Sequence, residues 1–349
     1  MSTLSKLPTQ VSNLSFTSKL ILGVGLTGLI VSSFYKAFQV WRTSFAGTSS
    51  FPKKPSKLHI EPKTQKELAE KLVDWRILRN KNAIEVYSTI DRKNFVDWDE
   101  LKNALGNGMS TFSPYGEHAL PLGNNATMSS PHIHALALDL LAEKAREGMT
   151  VLDIGSGSGY MTACLAMLVG NTGSVVAIEH ISELVSNAEV TLSEHYPELF
   201  SRIKMSTGDG LVGNETFAPY QLIYIGAAVG TVDDLKPLLL QLGKNGRMIV
   251  PVGMSEGFQR LLQIDHLENG ELKIKDHGVV RFVPIFSSPS QQKNSHITST
   301  PAFPVKVKDD KTILVKSYVV PAPDSTAEDY QQLREFFAKK IQEQNTTES

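Results

Sequence analysis

The stretch MTVLDIGSGSG, residues 149–159, decides the fold. An apolar run reaches an acid at Asp153 and then meets three glycines at alternate positions, Gly155, Gly157 and Gly159. A short apolar run stopped by glycines reads as a buried strand that turns sharply. YMTACLAML (160–168) follows it with the look of a buried helix. Glycine lets the backbone turn tightly and come close to a ligand. A dinucleotide fingerprint needs its third glycine three places after the second. Tyr160 stands there instead, so the spacing disfavours a pyrophosphate cradle.

Working outward, strands and helices alternate. SVVAIE (174–179) reads as a second strand, 181–194 as a helix, IKMSTGD (203–209) as a third strand and QLIYIGAA (221–228) as a fourth. A helix over 231–241 is followed by the glycines Gly243 and Gly246 and by three more strands, 247–253, 260–267 and 273–285. Apolar strands alternating with helices predict a mostly parallel sheet with helices on both faces. The last strands lack a helix between them and predict an antiparallel finish. Three acids fall at C-terminal strand ends, where open α/β sheets bind ligands. Asp153 is expected to accept from a ligand amino group or from loop amides, Glu179 from a ribose diol and Asp209 from an adenine amino group. These acids and the glycine spacing suit a nucleoside without pyrophosphate, such as S-adenosylmethionine.

Upstream, residues 64–90 carry helical periodicity through Leu68, Leu72, Trp75, Leu78, Ile84, Tyr87 and Ile90. Residues 103–125, rich in Gly, Asn, Ser and Pro, predict an irregular surface segment. PHIHALALDLLAEK (131–144) reads as a helix with proline at its start. His132 and His134 lie two apart in it, but no third ligand stands at a metal-site spacing. The chain has no Gly-x-Ser-x-Gly elbow for a hydrolase serine.

The whole chain has 349 residues and a net charge of −1, so it carries no global basic field for nucleic acid. Its single cysteine, Cys164, excludes an intrachain disulfide. The first 60 residues hold seven Lys/Arg and no acid, and residues 20–35 run uncharged. Extended to residue 41, that run suits a membrane anchor or an organellar targeting segment, and the two can coexist. If it spans, the positive charge on its C-terminal side keeps the rest on the cytosolic or matrix side. The expected divisions are a basic segment and linker (1–62), a catalytic domain (63–292) and an extension (293–349). Within the extension, 313–320 suggests a strand and 327–344 a charged helix.

Several ordered motifs together resemble the protein-L-isoaspartate O-methyltransferases over roughly 65–292. They are DRKNF (91–95), ATMSSPHIHALALDLL (126–141), LDIGSGSGYMTACLAMLVG (152–170), IEHISELV (178–185), GDG (208–210), YIGAAV (224–229), GRMIVPVG (246–253) and VVRFVPI (279–285). The resemblance implies a Rossmann-like S-adenosylmethionine-dependent methyltransferase with extra strands. It also implies methyl transfer to the α-carboxyl of L-isoaspartyl residues in damaged proteins. Ser129 falls on the family's active-site serine. Pro131, His132, Ile133 and His134 fall on its cofactor-contacting stretch. Asp153, Ile154, Gly155 and Gly157 fall on the glycine loop, Glu179 and Leu184 on the ribose side, Asp209 and Gly210 near adenine, and Gln291 on a downstream glutamine. Expected partners are isoaspartyl proteins and peptides, met by a monomeric catalytic domain that is cytoplasmic by family default. The chain departs from the pattern at three places, one being Ser130, which replaces an alanine. Phe286 stands where the family often has threonine, and Leu211 replaces an arginine common after the Gly-Asp-Gly. Two alternatives stay open: a different acceptor, or a binding protein that keeps the fold without catalysis.

Overall fold

The computed structural model describes residues 61–105, 113–231, 233–253 and 259–286, together with the backbone of 318–319. The chain opens with α1 (Gln65–Asp74) and α2 (Lys81–Thr89). A 3-10 turn at Arg92–Phe95, α3 (Trp98–Leu105) and the two-residue strands β1 (Leu120–Pro121) and β2 (Thr127–Met128) follow. The alternating part runs α4 (Pro131–Ala142), β3 (Thr150–Ile154), α5 (Tyr160–Leu168), β4 (Ser174–Glu179), α6 (Ser182–His195), α7 (Pro197–Phe200), β5 (Ile203–Thr207), β6 (Tyr220–Ile225) and α8 (Lys236–Gln241). It closes with β7 (Leu242–Val252), β8 (Gln259–His266), β9 (Glu271–Val280) and β10 (Tyr318–Val319).

The periodic stretch 64–90 forms two helices because local capping breaks it. Thr64 caps α1 by accepting from the Glu67 amide, and Arg76 turns left-handed at φ 58°. Asn80 then caps α2 by accepting from the Asn82 and Ala83 amides. The turn is fastened from below. The Asp139 carboxylate of α4 accepts the Arg79 and Asn80 amides at 2.6 and 2.7 Å. Every residue of α4 is buried, so this helix lies inside the molecule. The expected surface segment before it is partly interior. Tyr115, Leu120 and Leu122 are buried, and β1 pairs antiparallel with β2. Turn composition marked the chain reversals there but could not report the apolar residues between them.

The main sheet has the order β10-β9-β8-β7-β6-β3-β4-β5. The five strands from β7 to β5 pair in parallel, whereas β7–β8, β8–β9 and β9–β10 pair antiparallel. One apolar layer fills the face under α4, α5 and α6, and a second lies under α8. The final long strand predicted over 273–285 ends at Val280. Residues 281–286 leave the sheet and double back, with the Ala228 amide donating to the Val283 carbonyl and the Ala228 carbonyl accepting from the Ile285 amide, at 2.8 Å each. The strand expected over 313–320 is described only at Tyr318–Val319, which pairs with β9. Among the described residues, no helix is long and apolar enough to cross a membrane. The stretch 20–41 and the helix expected over 327–344 lie outside those residues.

Candidate active site

Chain order along the sheet reverses at β3, which has β4 on one side and β6 on the other. The crevice beyond the C-terminal strand ends at such a switch point is where open α/β sheets take ligands. Here it is an open cleft. Its floor is backbone, from Gly155 and Gly157 after β3 and from Gly226 and Ala227 after β6. A Cβ on Gly226 would meet the Gly155 carbonyl oxygen at 2.9 Å. One wall is Glu179 and His180, and the opposite wall is the doubled-back segment Val283–Phe286. Leu122, Ala126 and Thr127 close the end next to α4.

The glycine loop has a physical requirement at each turn. Gly157 sits at φ 52°, where an L side chain is strained, and its amide donates to Glu179 Oε2 at 3.0 Å. Gly159 caps α5 at φ 82°, and a Cβ there would come within 3.1 Å of Ala188 Cβ on α6. Glycine therefore permits both the turn and the close helix packing. The Glu179 carboxylate is well held. Oε1 accepts from the amides of His180 and Ile181 at 2.9 and 3.1 Å, and His180 Nδ1 lies 2.9 Å from the same oxygen.

Of the residues expected at the site, Ile154, Gly155, Gly157, Glu179 and Gly210 line the cleft. Asp209 is beside it; its Oδ1 accepts from the Leu211 amide at 2.9 Å. Asp153 points the other way. It is fully buried against α5, where Oδ2 accepts from the Thr162 hydroxyl at 2.6 Å. Its Oδ1 has no hydrogen-bond partner among the described residues. Burial is the main reason its carboxyl is pushed up to about 7, with Thr162 opposing and Glu179 adding. The strand alternation explains the direction: Ile154, next along, faces the other layer.

Ser129 and the first residues of α4 are not among the residues that line the cleft, although Thr127 just before them is. Ser129 itself is half-buried between β2 and α4. Pro131 and Ile133 are core residues, and Leu184 packs in the core from the first turn of α6. The two histidines diverge. His132 Nδ1 meets Glu117 Oε2 at 2.7 Å. His134 Nδ1 meets Arg92 Nη1 at 3.1 Å. Burial, then the charges of Arg92 and His132, holds the His134 imidazole well below the usual histidine range. No cluster of three or more His, Cys, Asp or Glu suited to a metal occurs among the described residues. Gln291 lies outside the described residues.

The sequence assigns no cleft role to His180, Gly226, Ala227 or the stretch 283–285, while Leu122, Ala126 and Thr127 fall in the segment 112–130 expected to receive the substrate peptide. The signal for Gly226 and Ala227 was available, since a switch between β3 and β6 makes the residues after β6 line the crevice. The doubling back of 281–286 left no such trace.

The cleft has apolar walls, one carboxylate at Glu179, and no lysine or arginine among its lining residues. Those residues fit a nucleoside that carries positive charge. The fold is that of the Rossmann-like S-adenosylmethionine-dependent methyltransferases. A Plasmodium falciparum chain assigned as a protein-L-isoaspartate O-methyltransferase, crystallised with S-adenosyl-L-homocysteine, superposes with TM-score 0.55 at 24% identity. The match covers 65% of this chain and 100% of that one. The model of the protein-L-isoaspartate (D-aspartate) O-methyltransferase family matches residues 63–290, and the chain belongs to that family. A Dictyostelium discoideum protein assigned to this enzyme is 38% identical, over 76% of this chain and 81% of its own. The protein-L-isoaspartate O-methyltransferase of Triticum aestivum is 39% identical, over 65% of this chain and 94% of its own.

Proposed function

We propose that the cleft holds S-adenosylmethionine and that the chain methylates the α-carboxyl of L-isoaspartyl residues in damaged proteins. The observation that carries this reading is Glu179. Its carboxylate is fixed by three backbone amides on the wall of a backbone-floored cleft at the switch point. There it accepts from the ribose diol. Gly155, Gly157 and Ile154 let the ligand rest against backbone, and Asp209 with Gly210 bounds its adenine end. Leu184 and the stretch from Pro131 to His134 support this surface from the core. Gln291 is assigned to the same site by its match to the family motif.

Bound there, S-adenosylmethionine supplies an electrophilic methyl on a cationic sulfur. The acceptor carboxylate is ionised at neutral pH, so the chain need not remove a proton. The acceptor oxygen would take the methyl, and the cofactor would leave as a neutral thioether that keeps the electron pair. The protein's contribution is orientation and exclusion of water. Ser129, at the turn into α4, donates its hydroxyl to the acceptor carboxylate and aims it. The domain that does this spans 63–292 and acts as a monomer. Residues 20–41 tether it to a membrane or direct it to an organelle, a role supported by their lack of charge and the basic, acid-free context.

The test is methyl transfer to an isoaspartyl peptide beside its aspartyl twin, with Ser129→Ala as the paired variant. A hydrogen bond to a charged group contributes about 1.5–3 kcal/mol, so turnover should fall roughly 10- to 100-fold while the cofactor Kd stays within about twofold. Full turnover in Ser129→Ala sinks the serine's role. Equal methylation of both peptides sinks the isoaspartyl reading.

A further inference from the structure

We infer, on the reading of Ser129 given above, that Glu117 and His132 form a clasp that positions this serine for the acceptor carboxylate. Leu120 of β1 pairs antiparallel with Met128 of β2, so the residues before β1 run back alongside those after β2. A few residues on, the two runs are joined again, where His132 Nδ1 meets Glu117 Oε2 at 2.7 Å. An ionised carboxylate only accepts, so Nδ1 carries the proton. Ser129 therefore stands on a short closed ring of chain, 117–120 and 128–132, with strand pairing at one end and the Glu117–His132 contact at the other. The ring is moored on both sides. Arg92 Nε donates to the Pro114 carbonyl at 3.1 Å, and the Tyr115 hydroxyl donates to Asp91 Oδ1 at 3.0 Å, holding the chain that leads into Glu117. The Tyr87 hydroxyl donates to the Pro131 carbonyl at 2.9 Å, just past the serine.

The contact does what the local sequence leaves undone. A helix start is commonly fastened by its N-cap side chain. Ser130 is the N-cap of α4, yet its hydroxyl caps no amide and has no partner among the described residues. The course of the chain through 129–131 is then fixed from outside, by Glu117. Serine has one torsion before its oxygen, with three staggered positions, so the backbone course decides where the Ser129 hydroxyl can reach. The clasp is sheltered: the His132 and Glu117 side chains are 8% and 19% exposed. A carboxylate beside the first turn of α4 also meets the positive end of the helix dipole. Neither residue is among those that line the cleft, so the pair acts on the reaction through Ser129 rather than through the cofactor.

Turnover on an isoaspartyl peptide and cofactor affinity, both measured on the full chain, test the clasp. Misplacing an aligned group can cost up to about 100-fold, so Glu117→Ala should cut turnover roughly 3- to 30-fold while the Kd for S-adenosylmethionine stays within about twofold. Glu117→Gln keeps an oxygen for the Nδ1 proton and should hold turnover within about twofold of wild type. His132→Phe keeps a ring in the core but lacks the donor, and should lose as much as Glu117→Ala. The deciding measurement is the cycle with Ser129→Ala. Once the hydroxyl is gone, adding Glu117→Ala should cost less than about twofold more. Three results overturn the clasp and leave the serine's role standing: a double variant whose loss is the product of the two single losses, full turnover in Glu117→Ala or His132→Phe, or a glutamine variant as slow as the alanine one. Full turnover in Ser129→Ala overturns both.

Discussion

Replacing Asp153 by asparagine removes one carboxyl whose cost to the fold depends on pH. Asp153 is fully buried between β3 and α5, with Oδ1 lacking a partner among the described residues. Its carboxyl is raised from 3.8 to about 7, first by burial and then by Glu179, against the hydrogen bond from Thr162. A group whose pKa is higher folded than unfolded favours the folded state at low pH. That contribution is whole below the unfolded pKa and is lost as pH climbs through the folded one. For Asp153 the window runs from 3.8 to about 7. At about 1.4 kcal/mol per tenfold change in proton affinity, the loss across it is at most about 4 kcal/mol. Asparagine keeps an oxygen for the Thr162 hydroxyl and has nothing to titrate. Urea unfolding of both proteins from pH 5 to pH 8.5 gives a stability difference in which other titrating groups largely cancel. That difference should move in favour of Asp153→Asn as pH rises to about 7 and then level off, since the wild-type carboxyl is by then ionised. A difference flat with pH, or one moving the other way, refutes the assignment of the penalty to this buried carboxyl.

Two further outcomes follow from the same geometry. In Glu179→Gln the amide oxygen can serve the His180 and Ile181 amides, but its NH2 then faces the Gly157 amide, donor against donor. The Kd for S-adenosylmethionine should rise roughly 10- to 100-fold by calorimetry, and a change under about twofold would remove Glu179 from the site. Arg247, 5% exposed, forks onto Asp265 at 2.6 and 3.0 Å and also donates to the Leu140 carbonyl of α4. Arg247→Met leaves the Asp265 charge buried and should cost about 3–5 kcal/mol in urea unfolding. Arg247→Met with Asp265→Leu should recover at least half of it, and a double variant no better than the single one contradicts the ion-pair account.

The alternating pattern made most of the sheet legible. Apolar strands punctuated by glycine and separated by helical stretches carry their own period, so β3, α5, β4 and their successors fell within a few residues of their expected bounds. Glu179 and the glycine loop were legible for a related reason. An acid at a strand end and glycines before a helix are local features whose chemistry needs no distant partner. Asp153 was not legible in the same way. Its position at the strand end was plain, but which face its side chain takes depends on the register of β3 against Ala177 and Tyr224. The break of 64–90 into two helices is capped locally, but the carboxylate that fastens its turn, Asp139, stands some 60 residues further on.

By itself, the sequence determined a parallel sheet, a glycine loop, an acid at the end of the second strand and the family resemblance around Ser129, because each of these is written in neighbouring residues. Only the tertiary structure decided that 281–286 folds back over the cleft, that Phe286 meets His180, and that Asp153 turns inward. Those outcomes come from strand order and backbone pairing between residues tens of positions apart. Side-chain pattern along the chain does not encode which distant segment closes over a strand end. Packing and hydrogen bonding in the folded molecule do.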